Sequence, residues 1–240
     1  MEVLHLDYRP GPVDWVLSLQ TRLQKSSSSP LRERYVKWQE LGLAELGMAV
    51  ATRIDLTVRA SYRLGELIKR LRDEIKKSGQ LELHLLEGLC FMPADQRVLY
   101  DICVAVDSFY FELRSCFEVL RRFVLRFMRQ MLRKPMSEAQ FANVLHELGV
   151  ETSWIDPVRE NRALFFHNTA PWIALEIHHR KPIECSLLVM KENLAIFDDP
   201  TKFITQREMS EAIIGLQAAL WPLNKWLQAK IQEVEKASLA

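Results

Sequence analysis

Within ten residues, the segment Arg159-Glu160-Asn161-Arg162-Ala163-Leu164-Phe165-Phe166-His167-Asn168 gathers two guanidiniums, a carboxylate, an imidazole and two amides. Phosphodiester cleavage can use such groups, a guanidinium to stabilise the charged phosphorane and an imidazole to move protons. Arg162 and His167 are the candidate pair, with Arg159, Glu160, Asn161 and Asn168 as supporting groups that orient them. Pro157 opens the segment and Pro171 bounds it, so a helix is expected between them with Asp156 as its cap. On that helix Arg162 and His167, five residues apart, diverge by about 140° and do not share a face. Glu160 and His167 are seven apart and almost eclipsed, while Arg159 stands one turn from Arg162. The last turn of a helix favours the imidazolium form, and hence phosphate binding or general-acid work by His167. Cleavage without a metal wants both an acid and a base, and the segment holds one histidine. A two-fold homodimer bringing two such helices together would supply two histidines and two arginines. The plain alternative is a helix-terminal histidine that caps its own carbonyls, at a spacing that arose by chance.

The elements that must position this segment are expected to be helical. Of 240 residues 48% are hydrophobic, and with only 8 glycines and 10 prolines the chain has a core to bury and few places to turn. Leu, Arg, Glu, Lys and Ala, all strong helix formers, recur in long stretches. A single, mainly α domain over residues 1–240 is predicted. Pro12-Val13-Asp14-Trp15 opens a short helix ending near Lys25, and Ser29 caps the next with Pro30 at its first position. Helical sequence then runs to about Ser78, where two lysines and Gly79 close it. Leu81, Leu83, Leu85, Leu86 and Leu89 mark an apolar connection over 80–93. Pro93 starts a second long helix, in which Leu120, Phe123, Val124, Phe127, Met128 and Met131 recur at helical spacing before Pro135 ends it. Two helices this long would pack as an antiparallel hairpin. Ser137 with Gln140 reads as a capping box for a short helix that Gly149 stops. Residues 172–179 and 183–190 are rich in β-branched and apolar types, predicting a β-hairpin at about 172–190 inserted before the C-terminal helix. That last helix opens on a second capping box, Thr205 with Glu208, and should kink at Pro222.

A net charge of +1 gives no global argument for nucleic acid or membrane, so any basic surface must be local. One candidate exists: residues 121–134 hold five arginines and a lysine with no acid, and Arg122, Arg126, Arg129 and Arg133 follow helical spacing on one stripe. Such a stripe could hold an RNA backbone, or could be a solvated face paired with acids of a neighbouring helix. Cys90, Cys103, Cys116 and Cys185 have no CxxC spacing, and His84, His146 and the adjacent His178-His179 are isolated from further ligands, so no metal or disulfide framework is expected. No stretch of about 18 apolar residues runs without charge, and the N-terminus lacks a signal-peptide pattern, so no membrane partner and a cytoplasmic location are expected.

The run Val158-Arg159-Glu160-Asn161-Arg162-Ala163-Leu164-Phe165-Phe166-His167-Asn168 resembles the signature of the HEPN superfamily. The resemblance implies an all-α, HEPN-like helical bundle that dimerises, with a composite metal-independent endoribonuclease site in the dimer groove that leaves a 2′,3′-cyclic phosphate. Arg162 and His167 would be its catalytic pair, with no cofactor. It further implies RNA as substrate, a toxin or abortive-infection role, and an antitoxin partner such as a minimal nucleotidyltransferase. The family also includes inactive members, so the alternative is an RNA- or protein-binding scaffold. Ala163 stands where the family usually carries a polar residue after the motif arginine, and Asn161 and Asn168 flank the motif as substitutes.

Overall fold

The computed structural model describes residues 14–79, 94–167, 171–178, 184–192, 194 and 198–239, with side chains for all of these except Phe166, His167, Ile177, His178, Glu184 and Leu239. In chain order it contains α1 (Asp14–Gln24), α2 (Ser29–Val36), α3 (Leu43–Ser78), α4 (Gln96–Arg126) continued by a π turn (Phe127–Met131), α5 (Glu138–Glu147) and α6 (Ile155–His167). Then come β1 (Trp172–His178), β2 (Glu184–Met190), a short 3-10 turn (Pro200–Lys202), β3 (Phe203–Thr205) and α7 (Gln206–Leu239). The described residues are mainly helical, as the composition predicts, with one small antiparallel sheet among them. The leucine-rich connection over 80–93 lies outside the described residues.

Local signals set most of the ends. Ser137 accepts from the Gln140 N–H, and the Gln140 side chain accepts from the Ser137 N–H, so both arms of the capping box are present on α5. Thr205 Oγ1 accepts from the Glu208 N–H at 3.1 Å and Glu208 accepts from the Thr205 N–H at 2.7 Å, which starts α7 in the same way. Gly79 and Gly149, at φ +63° and +69°, follow α3 and α5 in the left-handed conformation that ends a helix.

Four expectations need correction. The helix beginning near Ser29 is not continuous to Ser78: residues 37–42 form turns, with the Leu41 N–H on the Lys37 carbonyl at 2.9 Å and Gly42 at φ +64°. Its N-cap is Ser28, in extended conformation, not Ser29. The second long helix starts at Gln96, with the Asp95 carboxylate accepting from the Arg97 N–H at 2.8 Å, and not at Pro93, which lies outside the described residues. The helix after Trp154 begins at Ile155, so Asp156 sits in its first turn, where a carboxylate complements the dipole, and not at its cap. The long C-terminal helix, by contrast, runs through Pro222 as expected.

The chain packs as two compact units, one from the described residues of 1–57, 115–152 and 214–240, the other from those of 58–114 and 153–213. Both draw on α3, α4 and α7, so each is discontinuous in sequence. In the first unit Trp15, Trp38, Phe123 and Phe127 form an aromatic cluster, with ring centroids 5.6 Å apart for Trp15 and Phe123 and 6.2 Å for Trp38 and Phe127. Two polar groups beside it are paired, the Trp15 indole donating to the Leu220 carbonyl at 2.6 Å and fully buried Asn224 donating to the Trp15 carbonyl at 2.6 Å, while the buried Trp38 indole N–H has no hydrogen-bond partner among the described residues.

In the second unit α3 buries Leu64, Leu67, Ile68, Leu71 and Ile75, the spacing of one helical face. The predicted hairpin is present, Trp172 pairing with Met190 and His178 with Glu184, and β3 adds a third strand, Met190 pairing with Phe203. β2 is therefore central, and Leu187, Leu188, Val189 and Met190 are all buried. Gln206, the first residue of α7, accepts from Arg72 of α3 at 2.6 Å and from the Leu187 N–H of β2 at 3.3 Å, tying helix, sheet and helix together.

Candidate functional site

The suggestive segment lies on α6, in the second unit. Val158, Asn161 and Phe165 are its buried residues toward the middle and end, three and four positions apart and so on one face. That face settles where the neighbours go. Arg162 is half-buried, Glu160 and Ala163 are exposed, and Arg159 is exposed in an ion pair with Asp156 at 3.2 Å. His167 is the last residue of the helix; its side chain, and Asn168, lie outside what is described.

The inward face meets α4 in a stepwise match. Asn161 hydrogen-bonds Tyr110, and the next residue, Arg162, holds its guanidinium carbon 5.7 Å from the ring centre of Phe111, the next residue on α4. Phe165 packs on Tyr110 with centroids 5.7 Å apart, and Tyr110 meets Phe109 edge-on at 5.3 Å. Burial raises the Tyr110 hydroxyl above its ordinary pKa; the Asn161 hydrogen bond opposes this and the negative charge of Glu208 adds to it. Asn161 is thus an anchor of α6, and any contribution it makes to chemistry runs through the placement of Arg162. Tyr110 and Phe111 carried no motif in the sequence; Tyr110 shows only as part of the buried period of α4, and Phe111 is an exposed ring on the same helix.

The basic stretch lies in the first unit. Arg122 and Arg126 are exposed on α4 and Arg129 is exposed in the π turn. The expectation of one helical stripe through Arg133 is corrected: the α-helix gives way at Phe127 to a wider turn that buries Phe127, Met128 and Met131, and Arg133 follows it at φ +57°. There it takes the helix-ending left-handed position, and the Lys134 N–H reaches back to the Met128 carbonyl at 3.0 Å. Glu118 and Glu138, the acids that bracket the stretch, both pair with Arg121 at 2.5 Å. Among the described residues no ion pair engages Arg122, Arg126, Arg129 or Arg133.

The remaining candidates do not converge. His146 is exposed on α5, His84, Cys90 and His179 lie outside the described residues, and the side chain of His178 is not among those placed. Cys103, Cys116 and Cys185 form no disulfide among the described residues; burial raises Cys103, which donates to the Pro171 carbonyl at 3.2 Å, and this leaves it poorly nucleophilic. Among the described residues no three His, Cys, Asp or Glu side chains are grouped to hold a metal ion. No described helix is long and apolar enough to cross a membrane. Comparison with models of known families, with curated proteins and with solved structures finds no match for the chain.

Proposed function

We propose that the chain is a metal-independent endoribonuclease of the HEPN type, a helical bundle acting as a homodimer in which two copies of α6 contribute to one site. The observation that supports it is the Arg-x4-His spacing carried on a single short helix, with Arg162 held beside Phe111 by the buried face and His167 at the helix C-terminus. In this reading one histidine removes the proton of an RNA 2′-hydroxyl, whose oxygen attacks the adjacent phosphorus. Arg162 carries the charge of the phosphorane, and the histidine of the other copy protonates the departing 5′-oxygen. The products are a 2′,3′-cyclic phosphate and a 5′-hydroxyl. A toxin or defence role, with an antitoxin as partner, rests on the same resemblance.

A second reading, a catalytically inactive scaffold that binds RNA or protein, has its own support. Ala163 offers no hydrogen bond next to Arg162, and the flanking Asn161 amide is spent on Tyr110. Mass analysis of RNA incubated with the purified protein and a chelator separates the two. Cyclic phosphate ends that vanish in folded His167→Ala protein support cleavage; intact RNA across several substrates, with protein partners still captured, supports the scaffold.

A further inference from the structure

Arginine recurs around the end of α4 in the first unit, beyond what the cleavage reading uses. Arg122 and Arg126 stand four residues apart on α4, a rise of about 6 Å, and Arg129 follows in the π turn, all three exposed. Two guanidiniums lie against backbone, one of them hydrogen-bonded. Arg34 of α2 donates through Nη1 to the carbonyl of Met131, the last residue of the π turn. Arg126 lies across the turn at Gly42, where a Cβ would stand 2.6 Å from its Nη1. Arg34 also lies close enough to Arg133 to feel it: its pKa is lowered first by burial and then by the positive charge of Arg133, with Glu33 opposing. A fold that brings like charges together, with Glu118 and Glu138 both taken by Arg121, leaves a surface whose missing counter-charge must come from outside.

The chemistry of that counter-charge can be narrowed. Guanidiniums present planar forks that match the paired oxygens of a phosphodiester, and a row of them matches a chain of such groups. An anionic lipid surface calls for several exposed apolar side chains among the basic ones, yet no large apolar residue between 118 and 137 is exposed, and around Arg34 only Val36 is among residues 29–42. We propose that Arg34, Arg122, Arg126, Arg129 and Arg133 form a binding face for the phosphodiester backbone of a nucleic acid, indifferent to base sequence. The face stands on its own observations and survives if the cleavage reading fails.

The test is binding of a fluorescent 2′-O-methyl RNA of about 20 nucleotides, longer than a typical single-strand site, across a salt series. Such a strand lacks the hydroxyl that cleavage would use, so the result is independent of the activity of α6. Wild-type protein should bind with an affinity that falls steeply with salt. The triple variant Arg122→Gln, Arg126→Gln, Arg129→Gln should bind at least about tenfold more weakly at low salt, with a log–log slope shallower by about 2, since each phosphate contact on a single strand contributes about 0.7. The corresponding triple Lys variant keeps the charge and should keep the slope, which separates lost charge from lost fold. A triple Gln variant that binds like wild type with the same slope overturns the proposal. So does wild-type protein that ignores the oligonucleotide while binding phosphatidylserine vesicles.

Discussion

Tyr110 and Asn161 are joined by a hydrogen bond inside the second unit, at a point where the phenol is almost wholly buried and the amide is 6% exposed. The bond fixes α6 against α4 at the residue preceding Arg162, so the helix cannot rotate without leaving two polar groups unsatisfied. Replacing Tyr110 by Phe keeps the ring contact with Phe165 and removes only the hydroxyl. It should cost about 1–2 kcal/mol in urea unfolding, with Asn161→Ala costing a similar amount. The double mutant should lose less than the sum of the two; full additivity would mean that they are not coupled.

The same hydroxyl predicts an alkaline limb. Its folded pKa is raised, chiefly by burial, so its contribution to stability is intact below the ordinary tyrosine pKa of about 10 and declines as pH rises above it. Urea midpoints for wild type and Tyr110→Phe, measured from about pH 8 to 11, should converge at the alkaline end. Parallel curves would contradict the assignment.

An acid limb is expected in the first unit. Burial pushes Glu235 up, but hydrogen bonds from Ser26 and Arg22, the charge of Arg22 and the Ser27 N–H outweigh it and leave the carboxyl below its ordinary pKa. The stabilisation is therefore complete above the unfolded value of about 4.3 and is lost as pH falls through the folded one. Glu235→Gln should be less stable than wild type at neutral pH and should show a shallower loss on acidification, read from unfolding midpoints at successive pH values.

Gly42 is sensitive to a methyl group chiefly through its backbone. At φ +64°, with Arg126 Nη1 standing 2.6 Å from any Cβ, Gly42→Ala combines backbone strain with displacement of a guanidinium. A loss of about 1–2 kcal/mol is expected, whereas Gly65→Ala, at a helical site with nothing within 4 Å, should be neutral or stabilising. Equal effects at the two sites would remove the role given to the 37–42 turn.

These contrasts explain what could be read from the chain alone. The capping boxes at Ser137 and Thr205 and the closing glycines at positions 79 and 149 act within a few residues, so their consequences are written locally. The hairpin pattern was visible for the same reason, but β3 spans three residues, too few to show an alternation, and its pairing partner is distant in sequence. The break after α2 was hidden because no proline marks it: its local signal is a single glycine, Gly42 at φ +64°, and Trp38, 5% exposed, is buried inside the turn. The π turn answers to the core as well, burying Phe127, Met128 and Met131 together. On α6 the motif was legible while its inner face was not, since an asparagine beside Arg162 reads as a polar contact until Tyr110 is placed against it.

The central claim, that α6 carries half of an RNA-cleaving site, is tested most directly by cleavage of a labelled RNA in chelator by wild type, His167→Ala and Arg162→Ala, each shown to be folded. Loss of a proton-transfer group or of a phosphorane-stabilising cation should slow the reaction by about a hundredfold or more, with cyclic phosphate ends only where cleavage persists. Cleavage at the wild-type rate by folded His167→Ala protein would contradict the account.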